Sequence, residues 1–499
     1  MCNNRLTVVK TLAMPTCDRV EFAARSLRTF IENSLRFGLE CDYVIYDDSL
    51  SPQTRNGYRT MLKALRKEFG VSLCYAGFEE KISFLKQLLT GSEIPPEIAK
   101  YSLFDMHKHR DSTPGANRNA VLLDNPGRAL VSVDDDTFCH VSRLSDATND
   151  VEAVPGDIYS VSDPCEFVSF TDRKQLLESL CYTDTPFLQI HDNVLGKTFG
   201  ELAGEQLGAT LGEGKVLLSF NGLAGDCAWA PLTSFFYFLV TGPSLLRLTS
   251  SAAVYEAARS SREILRVSRR IFVTPISASP SAFVGMDNRE LLPPFMPLGR
   301  TEDNFYWEMK RKCFPNDLFA HLPWALLHEP PRGRHFHPAD MRRPRQGFDF
   351  HSIVMAFLRS LPKMFHPRIS DRLAAMGKEF VSFGNLDVRE FEMTVKDLLR
   401  RDVKGIKDCL EKKLEENTDG CKLWREDMEV FLEGSWSLLD GPDVAVPVEF
   451  SCFQGRTEAL ELAKKLISAY GQLLLIWPHM IEKAAKLRNS ENRLAKPIS

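Results

Sequence analysis

The chain has no CxxC pair among its 12 cysteines, and the nearest two, Cys409 and Cys421, are well separated. That spacing excludes a zinc ribbon or a thioredoxin-like dithiol and fits free thiols in a reducing compartment. No apolar run reaches the roughly 18 residues that a membrane span needs. The stretches around Phe235–Val240 and Leu473–Trp477 fall short. The opening Met1-Cys2-Asn3-Asn4-Arg5 leads straight into a strand-like run without a signal-peptide apolar region, so the expected location is cytoplasmic. Neither sign of charge dominates: a net charge of −4 gives no reason to expect a nucleic-acid partner. Fixed-period repeats and low-complexity segments are absent. What remains is an ordinary soluble composition, 44% hydrophobic and 26% charged, on 499 residues, enough for two or three domains.

The most informative stretch is Arg128-Ala129-Leu130-Val131-Ser132-Val133-Asp134-Asp135-Asp136-Thr137, an apolar strand that runs into consecutive carboxylates. Strand alternation predicts that Asp134 and Asp136 share a face and that Asp135 points away, with no ligand role. Converging carboxylates repel unless a cation lies between them, and hard oxygen ligands suit Mg²⁺ or Mn²⁺ arriving with substrate phosphates. The plain alternative is an exposed acidic turn.

Context favours the first reading. Leu6–Leu12 predicts a strand, Met14-Pro15-Thr16-Cys17-Asp18 a turn, and Arg19–Arg36 a helix with apolar residues at helical spacing. Asp42–Tyr46 is a second strand that ends in Asp47-Asp48-Ser49; Gln53–Phe69 is a second helix stopped by Gly70, and Val71–Tyr75 a third strand. This βαβαβ alternation implies a parallel sheet with ligands at the carboxyl ends of its strands, where both acidic clusters lie. Between them, Thr113-Pro114-Gly115-Ala116-Asn117-Arg118-Asn119 opens a helix whose N-terminus and arginine suit a phosphate or carboxylate.

The ordered set resembles the nucleotide-sugar half of GT-A-fold glycosyltransferases of the family-2 type, over roughly the first 140 residues. The set consists of a first strand with a Thr/Pro turn, Asp-Asp-Ser after strand two, Gly-x-x-Arg-Asn on a helix, and a strand ending in Asp-x-Asp. The resemblance implies that Asp47 or Asp48 contacts the nucleobase, and that Asp134 and Asp136 touch ribose and hold a divalent cation on the diphosphate. Thr11, Pro15, Arg118 and Asn119 would then border the donor. Further on, Gly299-Arg300-Thr301-Glu302-Asp303 matches the family's Glu-Asp element, which makes Asp303 the candidate general base and Glu302 its polar neighbour. A carboxylate beside another has a raised pKa suited to accepting a proton. Thr301-Glu302-Asp303 also reads as a helix cap, and the two roles are compatible. By the same resemblance a downstream histidine completes the cation site: His328 first, His321 behind it. Arg332 and Arg334 are candidates to clamp the diphosphate.

Lys215–Phe220 predicts a strand and Asn221–Cys227 a glycine-rich loop carrying Asp226; Ala252–Arg270 reads as an arginine-rich helix with a solvated face. From Asp349 the pattern turns helical: Phe350–Leu361, Ile369–Phe380, Asp387–Arg401, Val403–Glu416, Lys422–Leu438, and Thr457–Trp477 with Met480–Leu487 beyond Pro478. The expected architecture is α/β, a GT-A, Rossmann-like mixed sheet flanked by helices, followed by an all-α C-terminal domain. Residues 1–348 form the first unit (donor half about 1–140, acceptor and catalytic half about 141–348) and 349–499 the second. The expected activity is metal-dependent transfer from a nucleoside diphosphate sugar, UDP-sugar foremost, to an unidentified acceptor that is a glycan, a protein or a small molecule. The family's processive synthases carry a Gln-x-x-Arg-Trp element and membrane helices, and neither is present here. The rival readings are a nucleotidyltransferase, against which stands the absence of a glycine-rich loop with a basic residue near strand one, and a non-catalytic helical scaffold with an inactive GT-A domain.

Overall fold

A computed structural model describes residues 8–104, 114–154, 165–204, 211–228, 236–275, 281–331, 335, 337, 347–417, 419–441, 443–450 and 455–499. Its strands are β1 (Val9–Thr16), β2 (Asp42–Asp47), β3 (Leu73–Ala76), β4 (Arg128–Val133), β5 (Thr137–Arg143), β6 (Val151–Ala153) and β7 (Glu166–Ser169). They continue as β8 (Cys181–Tyr182), β9 (Val216–Asp226), β10 (Glu263–Val267), β11 (Ile271–Thr274), β12 (Phe283–Asn288), β13 (Leu318–His328) and β14 (Lys496–Pro497). Among the described residues they join one mixed sheet, with a main path β14-β3-β2-β1-β4-β12-β9-β13-β11-β6. β1, β2, β3 and β4 run parallel; β12 is antiparallel to β4 and to β9.

The first strands and helices follow their apolar period. In β2, Val44 and Tyr46 enter one core and Tyr43 and Ile45 the other, so both faces of the sheet are covered. Helices Val20–Arg36 and Pro52–Phe69 cover one face, and Gly70 ends the second at φ 68. The C-terminal helices cover the other: Leu460, Tyr470 and Trp477 share a core with Val44, Tyr46 and Ala76. Tyr470 Oη donates to Pro294 O (2.8 Å) and Trp477 Nε1 to Leu292 O (2.8 Å), which ties the last helix to the loop after β12. No helix among the described residues is long and apolar enough to cross a membrane.

Several expectations are corrected. β9 runs unbroken through Asn221–Asp226, because it is buried along its whole length between β12 or β10 and β13 and its backbone groups pair there. The arginine-rich segment is a short helix, Ala252–Ser260, followed by β10. Three of its arginines are buried, not solvated: Arg266, Arg259, which pairs with buried Asp427, and Arg262, which holds Asp226 with both prongs; Arg269 and Arg270 stay partly exposed. Asp387–Arg401 and Val403–Glu416 form one helix, Val388–Glu416, and the final helix runs from Arg456 to Asn489 straight through Pro478.

Candidate functional site

β1 and β4 are parallel neighbours from which the chain leaves in opposite directions along the sheet, to β2 and to β5 beside β13, and ligands of α/β sheets bind in a crevice at the carboxyl ends of such strands. There β4 stops at Val133. The chain turns at once into β5: Thr137 N–H and Oγ1 both donate to Asp134 O, at 3.3 and 2.6 Å. Asp134, Asp135 and Asp136 therefore occupy a tight turn, where strand alternation no longer applies. Asp135 does not face away; it is buried and accepts from Thr16 Oγ1 (2.6 Å) and Arg19 Nη1 (3.0 Å). Burial and the neighbouring Asp136 charge push its pKa up against the pull of Arg19. The same Arg19 Nη1 donates to Asp136 Oδ2 (3.1 Å).

The sheet itself brings His328 to this turn. It ends β13, where it lies opposite Thr137 of β5 and Gly225 of β9, and Glu329 N–H donates to Asp136 O (2.8 Å). The approach requires Gly225, which has φ +114 and whose added Cβ would fall 2.2 Å from His328 O. His328 Nδ1–H donates to Asp226 O (2.6 Å), leaving Nε2 aimed at Asp136 Oδ1 3.3 Å away. A protonated ring donates from that nitrogen to Asp136; in a neutral ring of this tautomer the two facing acceptors would need a cation between them. Burial works against a charged ring, but Asp136 outweighs it and holds the histidine pKa above its usual value.

On the other side Arg118 links the acidic turn to the Glu-Asp element. Its Nη2 donates to Asp134 Oδ1 (3.2 Å) and Ser281 Oγ (2.5 Å), and its Nε is 3.4 Å from Glu302 Oε1. Burial opposes its charge, and Asp134, Glu302 and Asp303 restore it. Glu302 is buried, which raises its pKa despite Arg118. Asp303 is half-buried and accepts from Ser281 N–H (3.2 Å) and Asn304 N–H (2.8 Å). Thr301 does not cap this helix; it has φ +66 and its hydroxyl donates to Arg300 O (2.5 Å). Of the four non-glycine residues with positive φ among those described, Asp18, Ala228 and Thr301 adjoin the site in sequence, as strained backbone often does at functional sites; the fourth is Glu491, after the last helix.

The remaining candidates divide. Asp48 pairs with buried Lys81, which also donates to Asn117 Oδ1 (2.9 Å). Asp47 is turned into the core, held by Ser49 and by Tyr75 Oη (2.6 Å). Pro15 lies one residue before Thr16 at the crevice. Thr11 lies within β1, hydrogen-bonded to Asn125 Oδ1 (2.9 Å), and Asn119 is spent on Ser102 O and the Phe295 backbone, so neither joins the acidic turn. His321 stands near the opposite end of β13, 3.9 Å from Cys165 Sγ. Arg332 and Arg334 lie outside the described residues. Thr16, Arg19, Asn117 and Lys81 complete the cluster without having been singled out in the sequence; Arg19 carried a signal as the residue between the Thr16-Cys17-Asp18 turn and the first helix.

Among the described residues no group of three or more His, Cys, Asp and Glu stands close enough to hold a metal alone. The Asp136–His328 pair nevertheless fits a divalent ion that takes its other ligands from phosphate. Neighbouring octahedral ligands at about 2.1 Å stand roughly 3.0 Å apart, and the observed separation is 3.3 Å. Comparison of the chain with protein-family models, with curated proteins and with solved structures finds no match.

Proposed function

We propose that the chain is a metal-dependent glycosyltransferase of the GT-A kind, moving a sugar from a nucleoside diphosphate sugar, with a UDP-sugar as the expected donor, to an acceptor nucleophile. One observation carries the reading: Asp136 Oδ1 and His328 Nε2 stand 3.3 Å apart beside Asp134, at the carboxyl ends of parallel strands. Two features support it further. Arg118 couples that turn to Glu302, next to Asp303, and Asp48 lies at the carboxyl end of β2, two strands over.

The divalent cation, when bound to Asp136 and His328 with Asp134 alongside, would neutralise the diphosphate as it leaves. The protein's own groups do the rest. Asp226 O fixes the His328 tautomer so that Nε2 faces the site. Asp303, with N–H donors on both its oxygens, accepts the proton of the acceptor hydroxyl as that oxygen attacks the anomeric carbon and the bond to diphosphate breaks. Direct displacement of this kind inverts the anomeric configuration. Glu302 is committed to Arg118 and positions it.

The test is a screen of nucleotide sugars for slow Mn²⁺-dependent donor hydrolysis, which needs no acceptor. The reading predicts hydrolysis of at least one donor, abolished by chelation and by Asp136→Ala. A full panel left intact, or turnover indifferent to both, contradicts it.

A further inference from the structure

We propose that Arg19 is a charge latch on this site. It caps Asp135 and Asp136 while the donor is absent, and moves to the donor's diphosphate when a divalent cation takes Asp136. The inference rests on the glycosyltransferase reading.

The two oxygens of Asp136 face different partners. Its Oδ1 lies 3.3 Å from His328 Nε2 and its Oδ2 lies 3.1 Å from Arg19 Nη1. A cation between Asp136 and His328 would share that carboxylate with a guanidinium, and the two positive groups repel at short range in a poorly solvated site. The partners differ in freedom to yield. The carboxylates of Asp135 and Asp136 have side chains only 6% and 8% exposed, whereas that of Arg19 is 43% exposed. The carboxylates stay and the arginine leaves.

Its backbone does not move with it. Arg19 N–H donates to Tyr58 Oη (2.8 Å), which is itself 2.7 Å from Thr16 Oγ1, and Arg19 O accepts from Ala23 N–H (3.0 Å) as the first turn of the Val20–Arg36 helix. Only the flexible stem swings, so the released guanidinium remains at the mouth of the crevice. A guanidinium fork there matches phosphate oxygens two at a time. The first turn of that helix favours anions as well.

The consequence is coupled binding. Metal alone must displace the arginine without compensation, and diphosphate alone meets a cluster of carboxylates. Together each removes the other's obstacle, and by linkage the two factors are equal.

The experiment uses the full chain, Mn²⁺ alone and UDP alone as probes, with free Mn²⁺ followed by electron paramagnetic resonance and UDP by calorimetry. In the wild type, UDP should tighten Mn²⁺ by about tenfold or more. In Arg19→Gln, Mn²⁺ alone should bind about tenfold more tightly, and UDP at saturating Mn²⁺ about tenfold more weakly, so the coupling shrinks. The wild-type coupling is measured without any variant. Unchanged or weaker Mn²⁺ binding in Arg19→Gln overturns the latch, as does UDP binding indifferent to Mn²⁺, which would make Arg19 a permanent substitute for the metal. A wild type that binds neither probe removes the glycosyltransferase reading together with the latch; one that binds both, with Arg19→Gln indistinguishable from it, removes the latch alone.

Discussion

In the proposed mechanism Asp303 takes the acceptor's proton, and its neighbours show how far single residues can be read. Asp303→Asn keeps the shape and the Ser281 contact but removes the proton acceptor. Donor affinity should stay within about twofold while transfer falls by about 10²–10⁴; unchanged turnover in steady-state assays would remove Asp303 as the base. The sequence singled out Asp134, Asp136, His328 and Asp303 by residue type and order, and in the structure Asp136 stands 3.3 Å from His328 while Arg118 bridges Asp134 and Glu302, the residue before Asp303. The buried position of Asp135 was not legible, since β4 stops at Val133 and the three carboxylates lie in a tight turn where strand alternation does not apply. Away from the site, Lys310 is fully buried, with its ammonium over the Phe319 ring and donating to Asp317 O (2.5 Å). Burial lowers its pKa to about 7. Unfolded, it would titrate near 10.5, so the unfolded chain binds the proton more tightly between those values and this residue's contribution to stability improves as pH rises from about 7 to about 10.5. Lys310→Met should lack that slope. Denaturant titrations at pH 7 and 9 should give a wild-type-minus-variant difference that grows in the wild type's favour by about 1–3 kcal/mol, and a difference independent of pH would contradict the assignment.

At the scale of elements, the strand–helix alternation of the first 76 residues is plain in the sequence because each helix has one apolar face and each strand is buried on both. β9 was hidden for a physical reason. Its glycines read as a loop, yet Gly222 and Gly225 are where neighbouring backbone comes too close for a side chain: an added Cβ would lie 2.6 Å from Arg266 O and 2.2 Å from His328 O respectively. The β9–β13 pairing thus sets the position of His328. Gly225→Ala is expected to cost about 1–3 kcal/mol of stability. It should also weaken Mn²⁺ retention in the presence of UDP, with native circular dichroism preserved at low temperature. Stability loss with metal binding intact would separate the strand contact from the site. The arginines of Ala252–Arg270 misled in a similar way: charge on a helical period suggests solvent, but Asp427 and Asp226 are buried partners far away in sequence and invisible to any local pattern.

Across the whole molecule, the C-terminal helices cover one face of the α/β sheet, and the chain's last residues return to its edge. β14 pairs with β3, and Arg493 donates to both oxygens of Asp124, whose side chain is fully buried and also accepts from Tyr46 Oη and Ala495 N–H. Arg493→Ala leaves that charge underpaired and should lower stability by about 3 kcal/mol in chemical denaturation; a loss below about 0.5 kcal/mol would mean that Arg488, 3.9 Å from Asp124 Oδ1, suffices. Because Leu460, Tyr470 and Trp477 complete the core behind β1–β3, residues 1–348 expressed alone should lack a cooperative melting transition. The helical periods were visible in the sequence, but their docking on the sheet depends on contacts between residues hundreds apart. The most direct measurement of the central claim is calorimetric titration of UDP into the full chain with and without Mn²⁺, repeated with Asp136→Ala and His328→Ala. Mn²⁺-dependent binding is expected in the wild type, and loss of that dependence in both variants. Metal-independent binding, or a metal dependence that survives both substitutions, contradicts it.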